Sequence, residues 1–150
     1  MITTRIASLT DLNHLSVLFD AYRVFYKQES SIQSAKKFLE DRMQKKQSVI
    51  FIAYTGQDII GFTQLYPTFS SVTLKESYIL NDLFVSSAHR KKGVATSLLN
   101  TAKKYCIKNN AKGLALETAV DNPAQHLYEK LDWQKDTNCY HYFWSNPNQS

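Results

Sequence analysis

The order of helical and extended patterns along the chain predicts a mixed α/β (α+β) fold. Two local signals carry that reading. The first is a β-rich pair, Val49 to Tyr54 and Ile59 to Tyr66, joined by the turn residues Thr55-Gly56-Gln57-Asp58, which predicts an antiparallel hairpin. The second is a strand, helix, strand sequence spanning Tyr78–Val85, Gly93 to about Lys108, and Gly113–Val120. A crossover through a helix returns the chain in the same direction, so those two strands are expected to be parallel. The remainder of the sheet is then mostly antiparallel.

Thr4 to Ala7 reads as a short first strand. Ser8-Leu9-Thr10-Asp11 supplies cap residues for a helix to about Tyr26, with Leu12, Leu15, Leu18, Phe19 and Tyr22 at helical spacing. A second helix is predicted from Ser34 to Lys46 on the spacing of Ala35, Phe38, Leu39, Arg42 and Met43. Pro67 to Lys75 is polar and is expected to be a loop. After Gly113–Val120 comes a short helix, Asn122 to Lys130, and then β character at Trp133 and Tyr140 to Trp144.

At 150 residues, 43% hydrophobic and 21% charged, the chain is expected to form one soluble domain, residues 1–150. No apolar run reaches the length of a bilayer span, and the first residues do not form a secretory signal pattern. Cys106 and Cys139 are far apart and make no CxxC, so a reducing cytoplasm is the expected compartment. His14, His89, His126 and His141 show no metal-ligand spacing, and no metal is expected. The excess of Lys and Arg, 18 against 13 acidic residues, suits an anionic partner. The densest basic cluster, Arg90-Lys91-Lys92, is too local for a duplex footprint, and no nucleic-acid-binding motif accompanies it, so neither nucleic acid nor membrane is expected as a partner.

That cluster opens the segment Arg90-Lys91-Lys92-Gly93-Val94-Ala95-Thr96. Gly93 removes the Cβ that would hold an anion off the backbone, and Ala95 is small enough for close packing of helix on sheet. Amides of a first helical turn are free to donate, and the helix dipole favours negative charge there. A phosphate is the anion this arrangement suits. The segment is too short for a Walker A motif and holds no GxGxxG.

Taken with Leu80-Asn81-Asp82-Leu83-Phe84-Val85, Leu116-Glu117-Thr118 and Asn122-Pro123-Ala124-Gln125-His126-Leu127-Tyr128-Glu129-Lys130-Leu131, this segment resembles the GNAT superfamily of N-acetyltransferases. Tyr22-Arg23-Val24-Phe25-Tyr26 and Gly61 to Pro67 look like its small histone- and polyamine-acetyltransferase branch. The resemblance implies a sheet of six to seven strands whose central parallel pair splays, after a bulge near Asn81 to Leu83, to hold acetyl-CoA (coenzyme A). It places Leu83, Phe84 and Val85 along the pantetheine, Arg90 to Thr96 on the pyrophosphate, and Asn122 and Ala124 on the pantetheine arm. Tyr128 would lie beside the sulfur as the proton donor to the departing thiolate.

The implied reaction is transfer of acetyl to a primary amine by direct attack in a ternary complex, the amine belonging to a small molecule, a polyamine, a protein lysine or an N-terminus. Such an amine must lose a proton. Asp82 and Glu117, both expected on central strands, are the carboxylates that could take it; either could instead be a structural hydrogen-bonding group. Tyr22, Phe25, Tyr26 and Asn81, with the loop near Phe69 to Ser71, would form the acceptor wall. Asn81 departs from the glutamate that some polyamine acetyltransferases carry there, and Asp132 from the usual glycine. A homodimer through Tyr140 to Trp144 is expected, because that aromatic run would otherwise be an exposed edge. A non-catalytic coenzyme A sensor and, further off, a nucleic-acid-binding module are the alternatives.

Overall fold

The computed structural model describes residues 1–149. They fall into two compact units, Met1–Glu117 and Thr118–Ser150. The first unit holds a five-stranded sheet in the order β1-β2-β3-β4-β5, with β1 Thr3–Ile6, β2 Val49–Thr55, β3 Asp58–Ser70, β4 Lys75–Val85 and β5 Leu114–Ala115. The first three junctions are antiparallel and the β4–β5 junction is parallel, as the hairpin and the β-α-β pattern require. Three helices belong to this unit: α1 Leu12–Phe25, α2 Ile32–Gln44 and α3 Val94–Lys108.

The sheet carries helices on both faces. Leu12, Leu15, Leu18 and Phe19 of α1 and Ala35 and Leu39 of α2 bury against Ile50, Ile52 and Phe62. On the opposite face Tyr105 of α3 packs edge-on against Phe51 and Tyr78, with ring centroids 5.3 and 5.6 Å apart. Leu98, Leu99 and Ala102 of α3 are fully buried. The close approach of α3 depends on Gly61. A Cβ there would stand 2.9 Å from Val94 Cγ1, 3.1 Å from the Phe84 carbonyl oxygen and 3.3 Å from Leu98 Cδ1.

The start of α1 is fastened by an acid. Asp11 accepts both guanidinium ends of Arg5 at 2.8 Å and the Ser8 amide at 2.8 Å. The Arg5 charge and these donors hold the Asp11 carboxyl down at about 2. All four helices end in one way. The next residue but one takes a left-handed conformation: Lys27 (φ 66°), Lys46 (φ 53°), Asn110 (φ 53°) and Asp132 (φ 67°). The amide after it reaches back to an orphan carbonyl, as in Gln28 N–H to Arg23 O at 3.0 Å and Trp133 N–H to Tyr128 O at 3.0 Å. With only four glycines in the chain, non-glycine residues fill these positions, and Asp132, where the family usually has glycine, adopts the left-handed conformation that aspartate tolerates.

Several expectations are corrected. The Pro67–Lys75 loop is mostly strand: β3 continues to Ser70 and β4 begins at Lys75. Pro67 fits because β2 stops pairing at Val49 opposite Leu65, leaving β3 an edge on that side, where a missing amide breaks no ladder bond. The strand expected over Gly113–Val120 is only Leu114–Ala115, paired with Tyr78 and Ile79. Glu117 therefore lies two residues beyond a strand, exposed, rather than on one. Tyr140 to Trp144 forms no strand, and the sheet has five strands instead of six to seven. Gly93 precedes α3 as its cap instead of opening it.

The second unit contains α4, Ala124–Lys130. Asn122 Oδ1 accepts the Ala124 amide at 2.9 Å and so fixes the entry to this helix. Tyr128, half-buried, packs on Trp133 with ring centroids 5.8 Å apart. Tyr140, Tyr142, Phe143 and Trp144 are exposed.

Candidate active site

Asp82 reaches its place through a defect in the ladder. Gln64 pairs with Asp82 and Leu65 with Leu80, so Asn81 is an extra residue with no partner opposite. In a regular strand Asp82 would share a face with Leu80 and Tyr78, the face covered by α3. The bulge takes Asn81 out of the alternation and so puts Asp82 on the other face, alongside Phe84 and opposite Gln64, under α1.

There it is 3% exposed and fully engaged by neutral donors. The Tyr22 hydroxyl donates to Oδ1 at 3.1 Å, Asn81 Nδ2 donates to Oδ1 at 2.8 Å, and Gln64 Nε2 donates to Oδ2. Burial is the dominant influence on this carboxyl and raises its pKa, against the lowering effect of the three hydrogen bonds. Among the described residues, no cation is a partner of Asp82. Asp11, by contrast, has Arg5.

The rings around Asp82 are continuous. Tyr22 meets Tyr26, Phe62 and Phe84 at centroid distances of 5.1, 5.6 and 5.7 Å. Phe25 meets Tyr26 at 5.2 Å and Phe84 at 6.1 Å. Tyr66, half-buried two residues beyond Gln64, is pushed up to about 12 by burial and by the charge of Asp82. Tyr22 and Asn81 thus bond Asp82 directly, and Tyr26 and Phe25 join them through ring contacts with Tyr22 and Phe84. Phe69 is on β3 and exposed.

The basic segment follows β4 within the same unit. Lys91 (φ 61°) and Gly93 (φ 83°) both take left-handed backbone conformations, and Gly93 is the cap of α3. The first amide closed into the helix is that of Ser97, bonded to Gly93 O at 3.0 Å; those of Val94, Ala95 and Thr96 precede it. Arg90 folds back, its Nε donating to Val85 O at 3.1 Å and its guanidinium lying 5.4 Å from the Phe84 ring centroid and 5.8 Å from that of Phe25. The parallel ladder ends at Ile79 and Ala115, so from Leu80 to Val85 β4 has a ladder neighbour on the β3 side only. A strand edge without a ladder partner, leading to the amides of Val94, Ala95 and Thr96 at a helix N-terminus, fits an elongated ligand that ends in phosphates.

Asn122, Ala124 and Tyr128 all belong to the second unit, on or just before α4. Gln64 is the residue the sequence reading missed. A polar residue inside the β-rich run from Ile59 to Tyr66 was its signal in the sequence, and the structure buries it fully.

This fold and loop define a class, and the Acetyltransferase (GNAT) family matches residues 15–133: the chain belongs to that family. It is an acetyl-CoA-dependent N-acetyltransferase, since the family uses acetyl-CoA as co-substrate. It is 48% identical over 139 residues to the uncharacterized N-acetyltransferase YhfO of Bacillus subtilis (strain 168), covering 92% of this chain and 93% of that one. It is 33% identical over 96 residues to a streptothricin acetyltransferase of Escherichia coli, covering 63% of this chain and 52% of the other. A crystal structure described as a probable acetyltransferase aligns with a TM-score of 0.91 at 38% identity, covering 99% of each chain. No helix among the described residues is long and apolar enough to cross a membrane, and no cluster of His, Cys, Asp or Glu there could hold a metal.

Proposed function

We propose that this single-domain enzyme acetylates a primary amine that enters as an ammonium ion against Asp82, by direct attack in a ternary complex. The observation that carries the reading is a buried carboxylate with three neutral donors and no cation. Leaving an ionised carboxylate buried without a counter-ion is costly, and a cationic substrate removes that cost. The aromatic rings of Tyr22, Phe25 and Tyr26 favour the same charge. Among relatives, one is named a streptothricin acetyltransferase and another, from Saccharolobus solfataricus, an N-alpha-acetyltransferase. These names differ in acceptor; the burial of Asp82, only 3% exposed, favours a small amine over a folded protein chain.

Acetyl-CoA supplies the acetyl thioester. The amides of Lys91 to Thr96 hold its pyrophosphate, with the Arg90, Lys91 and Lys92 charges at the mouth, and the edge of Leu83, Phe84 and Val85 aligns its pantetheine. Asn122 and Ala124 hold the arm of that pantetheine. Asp82 Oδ2 takes a proton from the ammonium and exposes its lone pair; the raised pKa suits a base that must work near neutral pH. Glu117 is a second acceptor along the exit of that proton. The Val85 amide faces the charge that develops on the carbonyl oxygen. Tyr128 Oη gives a proton to the leaving sulfur.

The enzyme acts in the cytoplasm, a reading in keeping with two cysteines that are both free thiols. A homodimer would cover the exposed Tyr140, Tyr142, Phe143 and Trp144. Thiol release from acetyl-CoA across a panel of spermidine, lysine peptides, aminoglycosides and streptothricin tests the whole reading. Turnover with at least one cationic amine, lost in Asp82→Asn, is expected. Absence of turnover with every amine, alongside a thermal shift by acetyl-CoA, would leave a coenzyme A sensor instead.

A further inference from the structure

Gln64 presents an anomaly. Its Nε2 donates to Asp82 Oδ2, yet its Oε1 is buried and has no hydrogen-bond partner among the described residues. An unsatisfied buried acceptor is expensive and calls for a reason. A lysine or arginine at this position would hold Asp82 firmly as the carboxylate and leave nothing idle. A glutamine offers a donor at one end and an acceptor at the other.

We propose that Gln64 is the positioning residue that allows Asp82 to be held in both of its protonation states during turnover. In the resting state the Gln64 amide N–H donates to the carboxylate. When the substrate ammonium passes its proton to Asp82, R–NH3⁺ and the carboxylate become R–NH2 and the carboxylic acid. The N–H bond breaks and the Oδ2–H bond forms. The new acid hydroxyl needs an acceptor, and a half-turn of the Gln64 amide presents Oε1 to it. The idle oxygen is therefore the partner of the protonated state.

The surroundings leave this task to Gln64. From α1 the facing group is the hydroxyl of Tyr22, whose ring meets that of Tyr26, and from β3 the side chain of Tyr66. From α2 the Arg42 guanidinium, stacked on Phe38 at 4.7 Å, acts on Tyr66; it is not among the influences on Asp82. Within β4 the neighbour is Asn81, whose Nδ2 already donates to Oδ1. Among the described residues, Gln64 alone hydrogen-bonds Oδ2.

The inference rests on the reading of Asp82 as base, so the experiment separates the two. The pH dependence of kcat/KM is measured with a turned-over amine for the native enzyme, Gln64→Met, Gln64→Glu and Asp82→Asn, together with a 13C titration of the Asp82 carboxyl in the enzyme alone. Gln64→Met keeps the volume but loses the bond to the charged form, so the acidic limb and the carboxyl midpoint move up by about 1–2 pH units. Turnover at pH 7 falls about tenfold or more while KM for acetyl-CoA stays constant. In Gln64→Glu the two acids share one proton, and the limb moves higher still. If both Gln64 variants keep the native limb and midpoint while Asp82→Asn is inactive, the proposal is overturned and the base reading stands. If Asp82→Asn keeps the native profile, the base reading itself falls and carries this proposal with it.

Discussion

Replacing Gly61 by alanine tests how the sheet sets the position of the phosphate-facing loop. The added methyl would lie 2.9 Å from Val94 Cγ1 and 3.1 Å from the Phe84 carbonyl oxygen. Carbon atoms rest about 3.5–4.0 Å apart, so the overlap with Val94 is roughly 0.6–1.1 Å. Both Val94 and Leu98 are buried, at 2% and 0% exposure, and neither has open space to retreat into. Overpacking of this kind costs about 1–3 kcal/mol. Val94 is the first residue of α3, directly after Gly93, so the first turn must lift away from the sheet and carry the donor amides with it. Urea unfolding should show a lower midpoint at constant slope, and calorimetry should show weaker acetyl-CoA binding. In a Val94→Ala background the same substitution should cost clearly less, because the nearest atom is gone. A Gly61→Ala enzyme with native midpoint and native acetyl-CoA affinity would refute the packing argument.

Four further outcomes are expected. Lys27→Gly and Lys46→Gly, each relieving a left-handed lysine at a helix end, should raise stability by about 0.5–1 kcal/mol in urea melts. Asp11→Asn should be less stable than the native protein at neutral pH. Since the folded Asp11 carboxyl sits at about 2, below its ordinary value, the gap should persist above pH about 4 and close as pH falls toward 2. Tyr128→Phe should lower turnover more than acetyl-CoA affinity in paired kinetics and calorimetry. Asp20→Ala should loosen the α1–α2 connection, since Asp20 accepts the Ser30 hydroxyl at 2.6 Å and the Ser31 amide at 2.7 Å; faster hydrogen exchange at 27–31 would show it.

Elements with a local cause were legible in the sequence. The helices fell within a turn of their observed ends, because apolar spacing and caps are properties of neighbouring residues. The Gly56 turn and the Gly93 loop were legible for the same reason. Strands depend on partners, and there the reading slipped. Gly113–Val120 has the composition of a strand, yet only Leu114 and Ala115 find β4 to pair with. Tyr140 to Trp144 has the composition too and finds none. Pro67 argued for a loop until the length of β2 showed that it costs no ladder bond. The aromatic wall and Asp82 were named from sequence, but their hydrogen bonds to Gln64 and Tyr22 depend on long-range register, which no local pattern encodes.

That register has a consequence at the level of the gene. Which side of a sheet a residue occupies is a matter of parity, and a bulge lets one codon be lost without reversing it. Removing Asn81 would straighten β4 yet leave Leu80 opposite Leu65 and Asp82 opposite Gln64, each on the face it has now, because the bulge already absorbs the extra residue. A three-base deletion at this one codon would thus cost Asp82 a hydrogen-bond donor and spare its side of the sheet.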